Sequence, residues 1–170
     1  MVRALALTWL TVLGCAGSTT ALQKPESRSP RTRCVVARVT DGDTFRCTDG
    51  TRVRLLAIDS PEEGQGPVYQ EARRGLQRYL VPQRTVELEA DVRPTDQYGR
   101  TLAYVWVGDT LVNEAMVRDG WAVLYTVPPN VRFVERIRAA ERDAREARRG
   151  LWANGPLRCR PADFRKQRCE

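Results

Sequence analysis

A chain of 170 residues, 42% apolar and 29% charged, has material for one core of ordinary size and not for two. Lys and Arg total 28 against 21 Asp and Glu, a formal charge of +7 that favours a polyanionic partner. There is no histidine, which removes histidine-based metal sites and Ser-His-Asp or Cys-His catalysis, and leaves carboxylates, Tyr, Lys and Cys for acid-base work.

In chain order, "MVRALALTWLTVLGCAGSTTA" (1–21) places Arg3 before an apolar stretch, Ala4 to Gly14, too short to span a bilayer and followed by small residues. It reads as an export signal. "VLGC", ending at Cys15, resembles the lipobox of bacterial lipoproteins, so two outcomes stand open: cleavage after Gly14 with a lipid anchor on Cys15, or an ordinary signal containing a stray cysteine. The expected location is secreted, periplasmic or membrane-anchored. Residues 22–33 are polar, with Pro25 and Pro30, and read as a flexible tether.

Setting Cys15 aside leaves Cys34, Cys47, Cys159 and Cys169, an even set in an exported chain that points to two disulfides. Four cysteines allow three connectivities. If Cys34 and Cys47 lie on the arms of one hairpin and Cys159 and Cys169 close the tail, the local pairing is preferred. The spacing lacks any C-x-x-C pair, which argues against zinc.

"CVVARVTDGDTFRC" is two valine-rich runs around an Asp-Gly turn, and "TDGTRVRLLAID" repeats Asp-Gly before a third, which predicts a three-stranded meander. "PVYQEARRGLQRYL" has Pro67 as a first helical residue and Tyr69, Ala72, Leu76 and Tyr79 or Leu80 at helical spacing. "RTVELEADV" and "RTLAYVWVGDTLV" are two further strands joined by "RPTDQYG". "VNEAMVRDG" predicts a short helix ended by Gly120, and Phe133, Ile137, Ala140, Ala144, Ala147 and Leu151 a long basic helix ended near Gly150. The expected class is therefore α+β: a five-stranded, partly open barrel of the OB type with three α-helices, over 34–152, followed by a basic tail, 153–170.

The charges of the meander carry chemistry. Asp41, Asp43, Asp59, Glu62 and Glu63 are hard oxygen ligands that suit Ca²⁺ or Mg²⁺. Arg54 and Arg100 supply cations that could stabilise the extra negative charge of an attacked phosphodiester.

"VTDGDTFRC", "VRLLAIDSPE", "TDQYGRTLAYVWV" and "LVNEAMVRDGWA", in this order, resemble the staphylococcal nuclease (thermonuclease) family from about Cys34 to Trp152. The resemblance implies an OB-fold endonuclease that hydrolyses DNA and RNA with Ca²⁺ and leaves 3′-phosphate ends. It implies Asp43, Asp59 and the backbone carbonyl of Ser60 as ligands of Ca²⁺, Glu62 as general base, Arg54 and Arg100 as the clamp on the scissile phosphate, and Tyr98 and Tyr125 as substrate contacts. Ser60 stands where the family often has threonine, a small change if the carbonyl is the ligand. Gln97 replaces a frequent lysine, which puts one phosphate contact in doubt. Asp41 is read as a turn or supporting residue, Arg46 and Arg52 as exposed strand residues, and Glu63 has no role. A monomer without a protein partner is expected.

One constraint comes from strand parity. Arg54 and Asp59 are five residues apart and would face opposite sides of a straight strand, so the chain must bend near Leu56 to Ile58. The rival readings are an OB module that binds nucleic acid without cutting it, and a surface scaffold lipoprotein whose basic helix, Arg132 to Arg149, meets anionic polymers.

Overall fold

The computed structural model describes residues 30–169. The expected export signal, the lipid site at Cys15 and most of the tether lie outside the described residues. The meander is β1 (Arg31–Val39), β2 (Thr44–Cys47) and β3 (Arg52–Leu55). After a two-residue strand β4 (Ile58–Asp59) come α1 (Pro67–Tyr79), β5 (Thr85–Glu89) and β6 (Thr101–Val107). They are followed by β7 (Thr110–Leu111), α2 (Val112–Arg118), β8 (Val123–Leu124), α3 (Val134–Glu146) and α4 (Pro161–Arg165).

Five strands form the barrel in the order β3-β2-β1-β5-β6, and a parallel pairing of β3 with β6 closes it. The barrel is thus closed where the sequence suggested a partly open one. β1 serves two neighbours: residues 31–35 pair with β5 and residues 36–39 with β2, with a register irregularity between Val36 and Arg38 where the strand turns the corner. Arg31, Thr32 and Arg33, expected in the tether, are therefore barrel residues. Arg31 pairs with Glu87 and Glu89 and stacks 4.0 Å from the Trp106 ring centre, which fixes the entry of the chain.

The alternation along the strands fills the barrel with Val36, Phe45, Val53 and Val105, all fully buried, while the equally buried Tyr104 faces the other way, onto Phe133. Ala72, Leu76 and Leu80 bury the predicted face of α1, whose first residue is Pro67, and Met116 and Ile137 bring α2 and α3 onto the same core. α3 is shorter than the apolar spacing predicts. It stops at Glu146, Ala147 is exposed, and Arg148 turns left-handed at φ 50° before Gly150. Arg52 is exposed as expected, but Arg46 is half-buried.

Both disulfides take the local pairing, Cys34–Cys47 and Cys159–Cys169, with Cα atoms 5.8 and 5.4 Å apart. The tail carries the unforeseen fourth helix, α4, and packs back on the domain. The peptide bond between Pro128 and Pro129 is cis. Among the described residues no helix is long and apolar enough to cross a membrane.

Candidate active site

The segment Arg52 to Asp59 bends as the parity constraint requires. β3 ends at Leu55, Ala57 takes φ 61°, and β4 resumes at Ile58. The bend is held from two sides. Leu56 N–H donates to the Ala103 carbonyl at 2.9 Å, and the fully buried Asn113 amide donates to the Leu56 carbonyl at 2.8 Å. A left-handed alanine costs on the order of 1 kcal/mol, which these buried bonds offset.

Arg54 lies inside the bend. Its Nη1 donates to the carbonyls of Leu55 (2.7 Å) and Ile58 (2.9 Å), its Nε is 3.1 Å from Asp43 Oδ1, and its Nη2 is 3.1 Å from Asp59 Oδ1. Three of its five N–H groups thus donate hydrogen bonds to the protein and its Nε is ion-paired with Asp43, where the resemblance implied a fork aimed at phosphate. Arg54 orients both candidate metal carboxylates and leaves one Nη2 hydrogen for a substrate.

Asp43 comes from the β1–β2 turn. Its amide donates to Asp41 Oδ1 (3.0 Å), Thr44 Oγ1 donates to its Oδ1 (3.1 Å), and Ser60 N–H donates to its Oδ2 (2.8 Å). That turn lies so close to β4 that a Cβ on Gly42 would come within 2.6 Å of Ser60 Cβ, so glycine is required there. Asp41, read as a turn residue, is one: burial and the neighbouring Asp43 carboxylate push its pKa up to about 7, against the lowering effects of the Asp43 backbone bond and Arg54.

The "DQYGR" segment is organised by Asp96. Its carboxylate accepts from the amides of Tyr98 and Arg100 (both 2.9 Å) and from Arg100 Nε (2.7 Å). Burial works against its ionisation, yet these bonds hold the Asp96 carboxyl below the usual range. Because Arg54 pairs with Leu102, Arg100 shares the face of β3–β6 from which Arg54 projects, and its terminal nitrogens are left for the cleft.

The cleft has a volume of about 1050 Å³ and is lined by Asp41, Asp43, Arg54, Ser60, Glu62, Tyr98, Arg100 and Tyr125. Asp59 is the exception among the expected residues: it is completely buried beneath the cleft wall. Burial raises its pKa, opposed by the Arg165 bond and the Arg54 charge. Tyr98 and Tyr125 are 66% and 36% exposed, which removes a core-packing role for either. β8 pairs with β4, Asp59 opposite Val123, and so sets Tyr125 at the rim.

Reasoning from sequence missed Arg165. Its Nη1 donates to Asp59 Oδ1 (2.9 Å) and makes a very short contact to Glu62 Oε1, and its Nη2 donates to Asp59 Oδ2 (3.0 Å). These acceptors raise its pKa in spite of burial. It lies 106 residues from Asp59 in the chain, and no local pattern connects the two.

Among the described residues no three acidic or cysteine side chains converge as a ready-made metal group. The donor set nevertheless fits a hard cation: Asp43 and Asp59 are both buried and share Arg54, with Ser60 and Glu62 following directly. Two carboxylates and a carbonyl would leave the remaining positions to water, a composition that suits Ca²⁺.

A family profile described as a staphylococcal nuclease homologue matches residues 52–154. The thermonucleases of Staphylococcus hyicus and Staphylococcus intermedius are 37% and 38% identical over 127 and 126 residues, which cover 70% and 69% of this chain and 75% and 74% of theirs. Protein ParB of Escherichia coli is 36% identical over 144 residues, 78% of each chain. Arg54, Asp59, Ser60, Glu62, Tyr98, Arg100 and Tyr125 fall inside the profile match, Asp43 precedes it and Arg165 follows it.

Proposed function

The chain belongs to the staphylococcal nuclease family and is a phosphodiester hydrolase; from that premise we propose that it is an exported, Ca²⁺-dependent endonuclease that cleaves DNA and RNA to 3′-phosphate ends. The observation that carries this reading is the meeting of Asp43, Glu62, Arg54 and Arg100 in one cleft, directly over Asp59. An inactive binding module has no need of buried carboxylates oriented by arginine.

Asp43, Asp59 and the Ser60 carbonyl would hold the cation, which when bound polarises the phosphate and favours the anionic form of nearby water. Glu62 sits on a 3-10 turn anchored by its own amide, which donates to Gln65 Oε1 at 2.9 Å. Its carboxylate takes a proton from the attacking water as the water oxygen bonds to phosphorus. The bond to the 5′ oxygen breaks, and that oxygen takes up a proton from solvent. Arg100 meets the developing charge with its terminal nitrogens, and Arg54 with its remaining Nη2 hydrogen. Tyr125 and Tyr98 offer ring faces to bases of any sequence. The two disulfides accord with export to an oxidising compartment.

The test is incubation of purified protein with single-stranded DNA in Ca²⁺ or EGTA. Cleavage in Ca²⁺ and none in EGTA is expected, whereas retardation without cleavage, or cleavage indifferent to EGTA, contradicts the proposal.

A further inference from the structure

Arg165 covers both oxygens of Asp59 and reaches Glu62, the two groups that the proposed reaction assigns to the cation and to the water. It is delivered there by a built strap. The Phe164 ring lies on Gly64, where an added Cβ would approach it to 2.7 Å. Gln65 Nε2 donates to the Cys159 carbonyl (3.2 Å), and Arg160 Nη2 donates to the Leu124 carbonyl and to Glu141 Oε1 (both 3.2 Å). Leu157 packs beside Leu151 and Trp152, Pro161 is buried at the start of α4, and Cys159–Cys169 closes the segment. Each contact restricts where Arg165 can go.

A bidentate guanidinium and a hard divalent cation require the same carboxylate lone pairs. Since Asp59 is fully buried under this contact, a cation that binds it must first expel Arg165. We propose that Arg165 is a tethered counter-ion that competes with the divalent cation for Asp59 and Glu62, so that the disulfide-closed C-terminal strap sets the cation concentration at which the site loads. This rests on the reading that Asp43 and Asp59 take Ca²⁺. In this bound position the Arg165 guanidinium also lies 5.8 Å from the Tyr125 ring centre at the cleft rim. In the unloaded protein it pairs with Glu62 and adds a second cation beside Asp59, which also faces Arg54.

Calorimetric titration of Ca²⁺ into the full chain, without nucleic acid, tests this. Arg165→Gln is expected to bind Ca²⁺ about tenfold more tightly, the scale of one charge-assisted contact. Arg165→Lys, which cannot bridge both partners, should fall between. Gly64→Ala, which unseats Phe164 without touching a carboxylate, and Cys159→Ser with Cys169→Ser should both tighten binding while Arg165 is still present. A brace that only supports the fold would act oppositely, since its loss would weaken Ca²⁺ binding. Measurable wild-type binding that is unchanged or weaker in Arg165→Gln and Gly64→Ala overturns the counter-ion role and leaves the calcium reading intact. No binding by any of the proteins overturns both.

Discussion

Arg54 holds the bend together and, in the proposed reaction, serves the chemistry as well. Its contacts to two carbonyls of the bend and to Asp43 and Asp59 fix the donor set before any ligand arrives. Such preorganisation strengthens the field acting on a transition state without reorganisation at the moment of reaction. Asp41 carries the cost of crowding these carboxylates. Its pKa rises from 3.8 to about 7 on folding, so between those values the native state holds a proton that the unfolded state has released. Stability therefore falls as pH rises from 4 through 7, and the loss is complete above 7. Asp41→Asn keeps an oxygen for the Asp43 amide and removes the charge. In EGTA its melting temperature should exceed that of wild type at pH 8, and the difference should shrink towards pH 4; an equal or lower value at pH 8 contradicts the assignment.

Among the elements, the interrupted strand β3–β4 is the part that positions the site. Asn113 on α2 ties it to the barrel: its Oδ1 accepts from Val105 N–H (2.8 Å) and its Nδ2 donates to the carbonyls of Leu56 (2.8 Å) and Ala103 (3.3 Å). Asn113→Ala removes this partner from Val105 N–H and the Leu56 carbonyl, while the Ala103 carbonyl keeps Leu56 N–H, and should cost about 2 to 4 kcal/mol by urea denaturation. At temperatures where the variant is still folded, cleavage should fall as well, because the bend that aims Arg54 and Asp59 is loosened.

The bend was legible in the sequence because an odd spacing of Arg54 and Asp59 conflicts with a straight strand, and α1 because Ala72, Leu76 and Leu80 recur at helical spacing. Closure of the barrel was not, since parallel pairing of Val53 with Thr101 leaves no local trace in either strand. The end of α3 was overestimated because the apolar spacing runs on into Leu151, which is buried from a separate turn after the left-handed Arg148. Arg165 was invisible for a related reason: only folding brings the tail to β4.

At the scale of the whole molecule, two covalent loops bracket the cleft. Cys34–Cys47 spans the turn that carries Asp41 and Asp43, and Cys159–Cys169 the strap that carries Arg165. Replacing Cys34 and Cys47 by Ser should lower stability by about 3 kcal/mol, the loss expected for a loop of this length. An undiminished denaturation midpoint would show that the staple is dispensable. The formal charge of +7 adds a long-range attraction for nucleic acid, screened by salt.

In the proposed cation-assisted hydrolysis, the Glu62 carboxylate, placed by the 3-10 turn after β4, moves the proton. The rate of single-stranded DNA cleavage by Glu62→Gln in saturating Ca²⁺, compared with wild type, tests it most directly. A loss of about 10² to 10⁴ in kcat with the fold intact is expected for a general base, and cleavage by the variant at the wild-type rate would contradict it.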